Sequence, residues 1–150
     1  MLDCGSSMFD KPVRSVMQRQ KLLKAAPETL VSKAAKLMAA KNVGAIMVVE
    51  DDRLVGIFTE RDVVFRVVAR GLDAQATRLA DVMTRAPHTV EPDKPFGYAL
   101  LVMQEKGFRH LPVIQDGKPV GIVSSRSAMD PELEEFVSEA ERRLHYQKKS

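Results

Sequence analysis

Sliding the 150-residue chain along itself by about 65 positions lays residues 25–62 on residues 90–127 without a gap, with about ten identities in 38 aligned positions. Pro27 falls on Pro92, Ala34 on Ala99, Met38 on Met103, Asp51 on Asp116, and Val55-Gly56-Ile57 on Val120-Gly121-Ile122. Asn42 falls on Gly107, and both residue types tolerate the left-handed backbone that ends a helix. The chain therefore holds two copies of one supersecondary unit, joined by a polar segment around Gly71 to Ala80. A unit of about sixty residues buries so little surface that it is marginal alone. The copies are expected to pack sheet against sheet about a pseudo-twofold axis.

Within the first copy, Val31, Ala34, Ala35 and Met38 recur at helical spacing behind Thr29, read as the cap, and Asn42 ends the helix. Ala45 to Val49 and Leu54 to Phe58 flank a polar turn and read as a hairpin. Thr59 caps a second helix with Val63, Val64, Val67 and Val68 on its buried face and Gly71 at its stop. In the second copy Pro95 stands at the favoured first helical position, and Phe96, Ala99, Leu100 and Met103 form the stripe. Leu111 to Ile114, the Asp116-Gly117 turn and Val120 to Val123 repeat the hairpin. With an extended lead-in around Ala25 and around Val90, the expectation is a mixed α/β fold of two β-α-β-β-α repeats. Asp130 and Pro131 open a further helix over 130–147, whose Leu133, Phe136, Val137, Ala140 and Leu144 form an apolar stripe for its own module or for a second chain.

Composition narrows the function classes. Twenty-three Lys plus Arg against 20 Asp plus Glu leave a formal charge of +3, and beyond a pI of about 9.1 nothing favours nucleic acid. No apolar run approaches the eighteen or so residues of a membrane span. The single cysteine, Cys4, forms no internal disulfide, and residues 1–11, an N-terminal extension, lack the pattern of a secretory signal, so a cytoplasmic protein is expected. No GxxxxGK[ST], HExxH, CxxC or GxSxG motif occurs, and His88, His110 and His145 show no metal-ligand spacing. No catalytic class is supported.

Val16-Met17 and Val82-Met83-Thr84 at the copy starts, residues 41–46 and 106–113, and the run Gly56-Ile57-Phe58-Thr59-Glu60-Arg61-Asp62 resemble the tandem cystathionine-β-synthase (CBS) domain pair, or Bateman module. On that resemblance residues 12–71 are the first repeat and 81–129 the second, in a stand-alone pair. It implies a regulatory module binding an adenosyl ligand (AMP, ADP or ATP, with NAD and S-adenosylmethionine as further members) in clefts between the repeats. It also implies a dimer, so a homodimer with an unidentified protein target is expected, alongside the absence of catalysis, metal and membrane that motifs and composition suggest.

In the family pattern a hydroxyl followed three residues later by Asp sets the carboxylate on the two ribose hydroxyls, and here those positions are Thr59 and Asp62. The same pair also reads as a capping box. The second copy has Ser124, Arg126 and Ser127 there, which keeps a cap but loses the acid. Arg109 and His110 stand where the first copy has Gly44 and Ala45. In the family such a basic pair reaches the phosphates of a nucleotide whose ribose the other repeat holds; alternatively Arg109 is a surface charge and His110 a strand residue. One well-built cleft and one degraded or empty cleft are expected per chain. Ile57, Thr84, Ala86 and His88 are candidates for the adenine slot. Arg61 either pairs with a phosphate or is a surface charge, and the start of its helix favours an anion. A ligand-independent dimerisation scaffold is the competing function.

Overall fold

The computed structural model describes residues 8–18, 22–125, 140 and 142–144. After a 3-10 turn at Met8–Asp10 come α1 (Val13–Val16), β1 (Lys24–Ala25), α2 (Val31–Lys41), β2 (Ala45–Glu50), β3 (Arg53–Thr59) and α3 (Glu60–Asp62), which continues into a π-helical stretch, Val63–Val68. Then follow α4 (Leu79–Val82), β4 (Thr84–Arg85), α5 (Phe96–Lys106), β5 (His110–Gln115) and β6 (Lys118–Ser124). The fold is the expected mixed α/β pair of repeats. The second helix of the second copy and most of residues 130–147 lie outside the described residues; Ala140 and residues 142–144 are helical. Among the described residues no helix is long and apolar enough to cross a membrane.

Both hairpins form as the patterning requires. Asp51 and Asp52 have φ of 52° and 64°, and Asp116 and Gly117 have 55° and 80°, the left-handed pair of a two-residue turn that matches strand twist. Asn42 (φ 55°) and Gly107 (φ 74°) end α2 and α5 in the same left-handed conformation.

The two sequence copies are not two separable bodies. β1 runs parallel to β2, β2 and β3 form the hairpin, and β4, from the start of the second copy, adds antiparallel to β3. Reciprocally, Gln18, from the start of the first copy, bridges Ile122 on β6. The helix ends repeat the exchange: Val31 N donates to Thr77 O and Leu79 N to Thr29 O, while Phe96 N donates to Lys11 O and Val13 N to Lys94 O. Leu79, Val82 and Met83 are buried in the first core with Ala34, Ile46 and Phe58; Val13 is buried in the second with Phe96, Leu111 and Val123. At about 1.5–3 kcal/mol per buried aliphatic side chain, Leu79 and Val82 together contribute about 3–6 kcal/mol to holding the exchange. A third cluster, Ala45, Ile57 and Ile122 with Leu22, seals β3 against β6 between the repeats.

Three local expectations change. Thr29 is not the cap of α2: Leu30 occupies that place in extended backbone, and carbonyls of residues 77 and 74 take the first helical amides instead. Pro95 is the residue before α5, one place outside the first helical position. Val67 is buried and Val63 partly so, but Val64 and Val68 are 54% and 68% exposed. Ala69 N donates to Val64 O and Leu72 N to Val67 O, five residues back, so the turn is wider than an α-helix and the valines no longer stack on one face.

Candidate functional site

β3 ends at Thr59 in extended backbone and turns directly into α3. Asp62 N donates to Thr59 Oγ1 (3.3 Å), and Asp62 Oδ2 accepts from Thr59 N (2.9 Å) and from Thr59 Oγ1 (3.2 Å), so the capping box is present in both directions. Asp62 is buried, at 7% exposure, with Arg66 Nε 3.4 Å from its Oδ1. Glu60 N donates to Gly44 O. Two of the helix's leading amides are thus already satisfied, which weakens the helix start as an anion cradle and leaves anion binding to side-chain cations.

This corner forms one wall of a cleft of about 850 Å³, the size range of small-ligand sites. Of the residues singled out in the sequence, Ile57, Thr59, Arg61, Asp62, Thr84, His88, Arg109 and His110 line it. Ala86 does not; its neighbour Pro87 does. Ala86 adopts φ 45° where the chain leaves β4, and its N–H donates to Val55 O. Thr84 reaches the cleft because β4 pairs it with Ile57. At the apolar end the rings of His88 and Phe108 lie 5.4 Å apart and tilted by 41°, two aromatic faces available to a planar ring. Arg61 lies over the Phe65 ring, 4.7 Å from its centroid, which holds the guanidinium at the rim.

Sequence patterning missed Phe108, Lys106 and Arg66, all in the lining. Phe108 and Lys106 flank the left-handed Gly107, so the helix-end signal pointed to them.

Arg109 is exposed and His110 half-buried on β5. Burial pushes the His110 imidazole below its ordinary value of 6.5, Glu60 opposes this and Arg109 adds to it. A methyl group at Gly44 would lie 3.1 Å from Glu60 Oε1 and 3.3 Å from His110 Cε1, so the two side chains converge over that glycine.

A second cleft, about 890 Å³, is lined by Ala45, Ile122, Ser124 and Ser125, the counterparts of residues in the first. Glu60, Arg109 and His110 line both clefts. The basic pair occurs once in the chain but sits in the wall between the two openings. Arg126 and Ser127 lie outside the described residues. Among the described residues no group of three or more His, Cys, Asp or Glu side chains is placed to hold a metal ion.

The CBS domain model matches residues 13–69 and again residues 79–131. The chain is 34% identical over 158 residues to the Meiotically up-regulated gene 70 protein of Schizosaccharomyces pombe, over 91% of this chain and 22% of that one. It is 35% identical over 122 residues to the protein MK0525 of Methanopyrus kandleri, over 80% and 62%. It thus spans less than two thirds of either relative. Among solved structures, a conserved protein of Pyrococcus horikoshii is similar at 33% identity and a TM-score of 0.74, over 79% of this chain and 89% of that one. The CBS domain pair of protein MJ0100, solved in complex with 5′-methylthioadenosine and S-adenosyl-L-methionine, shares the fold at 24% identity and a TM-score of 0.71, over 78% and 91%. With the same model matching twice in order, on repeats that complete each other's sheets, this chain belongs to the CBS-domain family as a tandem pair.

Proposed function

We propose that the chain is a regulatory sensor whose first cleft binds an adenosyl ligand such as AMP, ADP or ATP, with NAD and S-adenosylmethionine in the same class. The observation that carries this is a buried carboxylate, Asp62, opening on a cleft that also holds cations from the opposite repeat. Asp62 Oδ2 is occupied by Thr59, whereas Oδ1 has Arg66 beside it and capacity for further donors, which suits a vicinal ribose diol. Adenine fits between Ile57 and Thr84 on one side and the His88–Phe108 pair on the other. Arg109, with Arg61, Lys106 and His110, faces the phosphates. The adenosyl ligands of protein MJ0100 support the class, not the member. Activity is read out through a homodimer or a protein target, in a cytoplasmic setting; exposed Val64, Phe65 and Val68 supply an apolar surface for a second copy.

The competing function is a scaffold without a ligand, favoured by the reciprocated capping box that accounts for Asp62 on stability alone. Asp62→Asn separates the two. Asparagine still accepts from Thr59 N but loses the charge, so AMP affinity should fall about ten- to a hundredfold while the unliganded protein changes by less than about 1 kcal/mol. Titration calorimetry and melting curves read both quantities. Unchanged affinity with clear destabilisation would make Asp62 only a cap.

A further inference from the structure

Arg66 links the acid of the first repeat to the lead-in of the second at the edge of this cleft. It projects from the π-helical stretch into the junction between α3 and the exchanged lead-in of the second repeat. Its Nη1 donates to Met83 O at 3.0 Å and to Val82 O at 3.3 Å, the carbonyls at the end of α4 that lack helical partners. Its Nε lies 3.4 Å from Asp62 Oδ1, and the side chain is about two-fifths exposed, on the cleft wall.

We propose that Arg66 is the positioning residue of the ribose end of this cleft. Its planar fork holds the acid of the first repeat and the Val82-Met83-Thr84 segment of the second, where α4 passes into β4, in one fixed unit; this rests on the adenosyl-ligand function above. Thr59 fixes one carboxylate oxygen and Arg66 aligns the other, so the atom offered to the ribose is set by the guanidinium. The same guanidinium ties down the segment that presents Thr84 opposite Ile57. One ammonium has no equivalent geometry for a carboxylate and two carbonyls lying in different directions. The chain contains its own contrast: at the repeat offset, Ser127 stands for Asp62 and Pro131 for Arg66, so acid and arginine are lost together in the second copy.

A residue that merely braced α4 would weaken every ligand alike; one that aims the carboxylate changes discrimination by the ribose hydroxyls. The test is titration of the full chain with adenosine and with 2′,3′-dideoxyadenosine, for wild type, Arg66→Met and Arg66→Lys. Wild type should prefer adenosine by about tenfold or more, the scale of hydrogen bonds to a charged group. In Arg66→Met the preference should fall to about threefold or less, with adenosine losing more affinity than dideoxyadenosine. Arg66→Lys should lose at least about threefold of the preference. A preference retained in both variants, or retained in Arg66→Lys when Arg66→Met does not fold, overturns the positioning role and leaves the ribose assignment standing. A wild type that does not distinguish the two nucleosides overturns both.

Discussion

The exchanged lead-ins make a sharp test through two glycines. A Cβ at Gly56 on β3 would lie 2.5 Å from Met83 Sδ, 3.0 Å from Met83 Cγ and 3.0 Å from Thr84 O. A Cβ at Gly121 on β6 would lie 2.5 Å from Met17 Sδ, 2.9 Å from its Cγ and 3.2 Å from its Cβ. Both substitutions overpack, at about 1–3 kcal/mol, and both regain about 0.4–1 kcal/mol by restricting the unfolded chain. The net cost is about 1–2 kcal/mol, or roughly 2–8 °C in melting temperature for a chain of this length. The two then diverge. The three atoms nearest a Cβ at Gly121 all belong to the Met17 side chain, whereas Gly56→Ala also presses on a backbone carbonyl of β4 and displaces Thr84 from Ile57. Gly56→Ala should weaken AMP by about tenfold, and Gly121→Ala should stay within about twofold of wild type. Melting curves and titration calorimetry on both variants read this out. Equal losses of affinity, or no loss of stability in either, would refute the exchange as the feature that builds the first cleft.

His110 makes stability depend on pH. Its folded value is lowered chiefly by burial, so the unfolded chain takes up the proton first; the neutral imidazole's contribution is present above about 6.5 and is lost as pH falls through the folded value. Wild type should therefore lose melting temperature relative to His110→Gln between pH 8 and pH 5, and parallel profiles would contradict this. Arg109→Ala should weaken AMP by about 1.5–3 kcal/mol and barely affect adenosine, while Arg126→Ala changes little. Calorimetry with both ligands checks it, and an equal loss for both would move the phosphates elsewhere.

The repeat made much of this legible in advance. Asn42 and Gly107 marked helix ends, Asp116-Gly117 marked a tight turn, and eight of the nine candidate residues line one cleft. What local patterning did not carry is long-range. β4 is two residues long, and its place beside β3 is decided by Leu79, Val82 and Met83 reaching into the other repeat's core. The amides at the start of α2 found carbonyls at residues 77 and 74, so the cap signal at Thr29 had nothing left to do. Val64 and Val68 fit an α-helical period that the π-helical hydrogen bonds replaced. Arg66 stands four residues after Asp62, a spacing that fits an ion pair, but its other partners are backbone carbonyls sixteen and seventeen residues away, which no local pattern marks.

The most direct measurement is a melting curve of the full chain against saturating AMP, ADP, ATP, NAD and S-adenosylmethionine, with guanine and pyrimidine nucleotides alongside. At about 100 times its dissociation constant, a ligand that binds only the folded state stabilises by about 2.7 kcal/mol, which is roughly 5–10 °C here. At least one adenosyl compound should produce that rise and the other bases a smaller one; identical curves with and without every nucleotide would contradict the sensor.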